Sequence, residues 1–149
     1  MDRIELSDLH HRVGHALGTS PWFEIDQARI DAFADVTGDS QWIHVDAERA
    51  AQGPFGTTVA HGFLTLSLMP WFLERSFEVL GSRMGVNYGL NKVRFPAPVP
   101  VGSRLRAHTK LLACEAVPGG MQLVIEAQIE REGSDKPVCV AEFVARRYA

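Results

Sequence analysis

Asp39 and His44 stand five residues apart in the run Gly38-Asp39-Ser40-Gln41-Trp42-Ile43-His44, and His61-Gly62 follows a second stretch containing Gly and Pro. A carboxylate and an imidazole brought together can hold one water molecule, draw a proton from it and return a proton elsewhere. If Gly62 opens a helix, its N–H has no intrahelical partner and points along the positive end of the helix dipole, where an oxyanion can meet it. The missing Cβ lets a ligand come close. Residue types and spacing alone leave three readings open. The pair is an acid–base site; or Asp39 satisfies N–H groups of its own turn while His44 is a hydrogen-bonded, half-buried histidine; or Asp39, His44 and His61 form a carboxylate-and-two-histidine set for Fe(II) or Zn(II). No second cluster or HxH spacing supports the third.

These residues need elements that bring positions 39, 44 and 62 together. Trp22 to Ile25 reads as a short strand, and Asp26 offers an N-cap oxygen to a helix with Ile30, Phe33 and Ala34 on one face. Gly38 ends that helix, which puts Asp39 just beyond it on a loop. The segment from Asp39 to Val45 has no helical period, and Asp46 caps a second short helix through Glu48, Arg49 and Ala50. From Gly62 to Leu80 apolar residues cover nearly every face, the mark of a helix wrapped by a sheet. Pro70 removes the bond to the Leu66 carbonyl and predicts a bend or a break. Val86–Phe95, Arg104–Val117, Met121–Arg131 and Val138–Tyr148 alternate or are rich in β-branched residues, with Pro118-Gly119-Gly120 as a hairpin turn. Two small helices, a buried helix and an antiparallel meander make an α+β chain, read as one domain over residues 1–149.

Composition narrows the classes. A chain of 149 residues with 46% hydrophobic and 22% charged residues can hold a core by packing alone. A net charge of −3 gives no general attraction for nucleic acid or an acidic membrane surface. The first eighteen residues lack a signal peptide's apolar run, and the stretch Gly62–Leu73 is shorter than the ~20 residues of a membrane span. Cys114 and Cys139, without CxxC spacing, read as buried free thiols suited to a reducing compartment, so a cytoplasmic location is expected. His10, His11, His15 and His108 show no partner pattern.

The run Phe33-Ala34-Asp35-Val36-Thr37-Gly38-Asp39-Ser40-Gln41-Trp42-Ile43-His44-Val45-Asp46 resembles the hydratase-2 signature of the MaoC-like dehydratases. The likeness continues through Ala50-Ala51, Gly53-Pro54-Phe55-Gly56, Val59-Ala60-His61-Gly62 and the run from Asn87 to Val99, about residues 20–108 in all, and is nearest to NodN-like single-domain members. The resemblance implies a hot-dog fold, an antiparallel sheet wrapped around a long buried central helix. It implies reversible hydration of trans-2-enoyl-CoA to (R)-3-hydroxyacyl-CoA, with Asp39 and His44 positioning and activating water and the Gly62 N–H polarising the thioester carbonyl. No metal or redox cofactor is implied, coenzyme A being part of the substrate, and a homodimer joined edge to edge is expected. Gln41-Trp42 replaces the Asn-Pro of many members, and Pro70 stands where some carry a serine. Ser67 then becomes the candidate hydroxyl near Asp39, unless it bonds back to its own helix. Trp42 and Phe63 are candidate acyl-pocket walls, Trp22 and Trp71 core or pocket walls, and Lys92 and Arg94, with Arg104 and Arg106, candidates for the CoA phosphates. A hot-dog acyl-CoA thioesterase, which needs only a carboxylate and an oxyanion donor, and a non-catalytic acyl-CoA-binding subunit are the competing readings. The paired Asp39 and His44 favour the hydratase.

Overall fold

In the computed structural model, which describes residues 1–149, three long strands form the middle of an antiparallel sheet: β6 (Ser103–Val117), β7 (Gly120–Arg131) and β8 (Cys139–Tyr148). Val117 lies opposite Gly120, so Pro118 and Gly119 alone make the turn. Pro118 presets its φ and Gly119 takes φ +79°, the left-handed position this turn requires. Alternation then sorts the side chains. Leu105, Ala107, Thr109 and Leu111, Leu123, Ile125, Ala127 and Ile129, and Ala141, Phe143 and Ala145 are buried on the inner face. The outer face of β6 and β7 carries a ladder of charges, Arg104 on Glu132 at 3.0 Å and Arg106 on Glu130 at 2.8 Å.

β2 (Ala16–Thr19) and β3 (Phe23–Ile25) pair in turn with β6, and β5 (Met84–Arg94) pairs with β8 at the opposite edge. The sheet therefore runs β2-β6-β7-β8-β5 with β3 beside β6. Against its inner face lie α4 (Gly62–Ser67) and α5 (Met69–Ser76), with Phe72 and Met69 fully buried in a core cluster of 25 residues. The small Ala107, Ala127, Ala141 and Ala145 on that face leave room for the helix to approach. This is the expected hot-dog layering.

Pro70 breaks the helix rather than bending it. The Leu68 N–H is shared between the Leu64 and Thr65 carbonyls at 3.2 and 3.3 Å, a tightened turn, and Phe72 resumes the regular pattern on Leu68 at 3.1 Å. The expected helix to Leu80 is corrected at its end: Phe77 is extended (φ −156°, ψ 160°), and Phe77–Leu80 form β4, parallel to β1 (Asp2–Glu5). The lead segment is likewise ordered, as β1, a 3-10 turn over Leu6–Arg12 and β2. β1 and β4 share a cause, the parallel pairing of residues 2–5 with 77–80, and β2 is held by β6; both are long-range contacts that no local pattern announces. Cys139 is buried, which pushes its thiol up to about 11, whereas Cys114 is half-buried rather than buried.

Candidate active site

Helix α1 (Gln27–Thr37) begins where the Asp26 carboxylate accepts the Arg29 N–H at 2.9 Å. It ends where Gly38, at φ +78°, donates its N–H to the Ala34 carbonyl at 2.9 Å. Asp39 follows on the loop. The next residues differ from expectation: Trp42–Val45 close one helical turn, α2, in which His44 donates its N–H to the Gln41 carbonyl and Asp46 donates to that of Trp42, both at 3.0 Å. The turn is held from outside. The Gln27 amide donates to the His44 carbonyl at 2.8 Å, and the Thr58 hydroxyl donates to the Gln27 side-chain oxygen at 2.6 Å. Asp46 then caps α3 (Ala47–Ala51) through the Arg49 N–H at 3.1 Å.

The three residues singled out by type converge. One potential ligand atom each of Asp39, His44 and His61 lie within 4.8 Å of one another, with both histidines buried and Asp39 exposed. His44 Nδ1 stands 2.6 Å from the Val59 carbonyl, which can only accept, so Nδ1 carries the proton and the neutral ring's Nε2 is a bare lone pair. His61 is oriented the other way, its Nε2–H donating to the backbone carbonyl of Asp39 at 2.9 Å. The imidazoles of His44 and His61 stack, with centroids 3.7 Å apart and planes inclined by 23°.

That stacking bears on the metal reading. An imidazole lone pair lies in the ring plane, and nearly parallel planes meet only far from both rings, so the two lone pairs do not converge on one ion at about 2.0–2.1 Å. The geometry suits a water molecule better. A water accepted by a carboxylate and an imidazole over bonds of about 2.8 Å each bridges groups separated by a gap of this size.

Beside His44 opens a cleft of about 320 Å³, whose walls include Phe55, Val59, Phe95, Val99 and Val138. Its polar elements are His44, the backbone of Gly62 and Thr65. Gly62 starts α4 with no side chain capping it. A Cβ there would lie 3.1 Å from two carbons of the Phe95 ring, so the glycine admits that ring.

Several predicted residues stand elsewhere. The Ser67 hydroxyl donates to the Leu64 carbonyl of its own helix at 2.8 Å and borders a separate cleft with Tyr88 and Leu90, away from His44. Thr65, one turn after His61, is the buried hydroxyl on the His44 cleft, and a single threonine within an apolar helix carries no sequence signal of that place. Trp42 packs over Gly53, where a Cβ would lie 2.9 Å from the indole, and beneath the Arg49 guanidinium at 4.4 Å, so it braces α3 instead of lining the cleft. Phe63 is 69% exposed and meets Phe95 edge-on at 6.2 Å, outside the cleft wall. Lys92 lies across from Glu142 on the outer face of the sheet, and the exposed Arg94 lies two residues along. Arg104 and Arg106 are taken by Glu132 and Glu130, and Arg106 also covers the ring of the half-buried Trp22 at 4.3 Å, outside the core cluster. Trp71 does pack on the core, edge-on to Phe23 at 4.7 Å. His108, without an expected role, joins Glu130 at 2.6 Å.

A family profile described as MaoC like domain matches residues 8–132. The chain is 52% identical over 145 residues to the 3-hydroxyacyl-thioester dehydratase Z of Mycobacterium tuberculosis, covering 97% of this chain and 96% of that protein. It is 42% identical to nodulation protein N of Rhizobium leguminosarum bv. viciae, covering 97% and 91% of the two. Among solved structures, an unliganded R-hydratase of Pseudomonas aeruginosa superposes with a TM-score of 0.72 at 24% identity, covering 89% of this chain and 81% of that one. The (R)-hydratase of A. caviae involved in PHA biosynthesis gives 0.72 at 23%, covering 87% and 94%. Those two likenesses are of fold.

Proposed function

The chain belongs to the MaoC-like dehydratase family, and on that footing we propose that it catalyses the reversible hydration of trans-2-enoyl-CoA to (R)-3-hydroxyacyl-CoA. What supports this reading is that His44, its Nδ1 turned to the Val59 carbonyl, and Asp39 each bring a potential ligand atom to within 4.8 Å of the other beside an apolar cleft. Water is a poor nucleophile, so a group must take its proton as its oxygen adds to C3. His44 Nε2 is that group, and Asp39 accepts the water's other hydrogen and orients it. The imidazolium then returns the proton to C2 on the same face, which balances the addition as syn. Positioned acid–base catalysis of this kind is worth ~10²–10⁴ in rate.

As water adds, negative charge moves onto the thioester oxygen. We assign its stabilisation to the Gly62 N–H at the start of α4, and one such donor is worth about 2.7–4 kcal/mol. The steps so described use this chain's own groups, with coenzyme A entering as part of the substrate. The apolar walls at Phe55, Val59, Phe95 and Val138 suit the acyl portion.

The same reading includes a homodimer. β5 is an edge strand of 11 residues with Val86, Tyr88 and Leu90 exposed, a template for a second copy's strand.

Crotonyl-CoA is the test substrate, followed by the conjugated enoyl-thioester absorbance together with free thiol. Loss of absorbance without thiol is expected. Thiol release would replace the reading with a thioesterase, and binding without turnover would replace it with a binding subunit.

A further inference from the structure

Of all buried side-chain nitrogens and oxygens, three have no hydrogen-bond partner in the protein: His61 Nδ1, Thr65 Oγ1 and Arg131 Nε. Two of the three sit one helical turn apart beside His44. A buried ring nitrogen without a partner costs stability, and an apolar ring of similar shape would not carry that cost. The fold by itself therefore has no need of a histidine at position 61, where Phe33 already packs at 4.9 Å from the ring centre.

What the histidine adds is directed at the catalytic loop. Asp39 is tied locally by two long contacts, its N–H to the Thr37 hydroxyl and its carboxylate to the Gln41 N–H, each 3.4 Å. The short bond is the 2.9 Å one from His61 Nε2–H to the Asp39 carbonyl. The same ring provides the flat surface on which His44 lies at 3.7 Å. One side chain thus sets the height of the imidazole and the place of the carboxylate relative to each other.

We infer that His61 is a positioning residue for the hydration reaction, acting through Asp39 and His44 and not on the substrate. The inference rests on the hydratase reading for its kinetic consequence. Misplacing a reacting group by about 1 Å costs up to ~10²-fold, and His61 is not among the residues bordering the acyl cleft, so the loss falls on kcat and leaves KM near its original value.

Two variants separate the parts. His61→Phe keeps a ring for His44 to stack on and removes the donor to Asp39; His61→Gln keeps an amide N–H at about the reach of Nε2. For His61→Phe we expect kcat on crotonyl-CoA to fall ~10–10²-fold with KM within about twofold and a melting temperature unchanged or raised. Amide exchange across residues 38–41, followed by mass spectrometry, should be faster in His61→Phe and restored toward the wild-type rate in His61→Gln, as should kcat. Wild-type exchange at 38–41 in His61→Phe overturns the inference whether or not the protein turns over crotonyl-CoA. A kcat loss accompanied by a clear fall in melting temperature, unrescued by glutamine, also overturns it, leaving a structural histidine. Absence of hydration by the wild type refutes the hydratase reading instead, and the exchange experiment still decides the positioning role.

Discussion

His44 offers a test in which stability and activity are expected to separate. Asparagine at position 44 places its amide nitrogen close to where Nδ1 stands, so it can still donate to the Val59 carbonyl, but it has nothing at Nε2. Glutamine reaches the Nε2 position and abandons Val59. Both lose the stack on His61, worth about 1 kcal/mol. Glutamine also leaves a buried carbonyl without its donor, a further cost of about 1–3 kcal/mol. In a domain of this size 1 kcal/mol moves the melting temperature by about 2–4 °C. His44→Asn should therefore melt roughly 2–4 °C below wild type, from the lost stack alone, and His44→Gln roughly 4–16 °C below, from both costs. Neither substitute is a base near neutral pH, so kcat for hydration of crotonyl-CoA should fall ~10²–10⁴-fold in both. Calorimetry and the enoyl-thioester absorbance assay give the two readouts. If His44→Asn keeps more than about a tenth of kcat, His44 is not the proton acceptor in the sense of positioned general-base catalysis. If the two variants melt together, Val59 does not fix the tautomer and the assignment of Nε2 falls with it.

Asp39→Asn should lower kcat by at least ~10² and shift the melting temperature by less than about 2 °C, because the exposed carboxylate's one bond is a 3.4 Å contact; activity near wild type would exclude Asp39 from the chemistry. Glu130 is held below its ordinary value of 4.5 by hydrogen bonds from Arg106 first and His108 second. Its folded value is lowered, so its contribution to stability is present above pH 4.5 and is lost as pH falls through the lower folded value. The melting-temperature gap between wild type and Glu130→Gln should accordingly narrow on acidification from about pH 7 to about pH 3, and a constant gap would mean the carboxylate charge is not what the ladder uses. Light scattering on the wild type should give the mass of the proposed dimer and on Leu90→Lys, which puts a charge on the exposed β5 edge, that of a monomer; a dimeric variant would refute an interface through β5, and a monomeric wild type would refute the dimer.

Local rules carried the sequence a long way here. An Asp before a helix, a Gly at φ +78° after it, alternation along β6 to β8 and a Pro-Gly turn are decided within a few residues, so Asp39 could be placed on a loop beyond α1 and the α+β order read directly. Chemical type then named Asp39, His44 and His61, and Pro70 announced a fault in the central helix.

Tertiary structure decided what those residues can do. Stacking of His44 on His61 and the opposite tautomers fixed by Val59 and by the Asp39 backbone arise from contacts between segments far apart in sequence, the two hydrogen bonds spanning fifteen and twenty-two positions. Long-range pairing also turned residues 77–80 into a strand and bound Arg104 and Arg106 to their glutamates. It moved the buried hydroxyl of the cleft from Ser67 to Thr65, two positions along one helix but on another face. A helix periodicity says which residues share a side; only the sheet packed against it says which side meets the loop of Asp39 and His44.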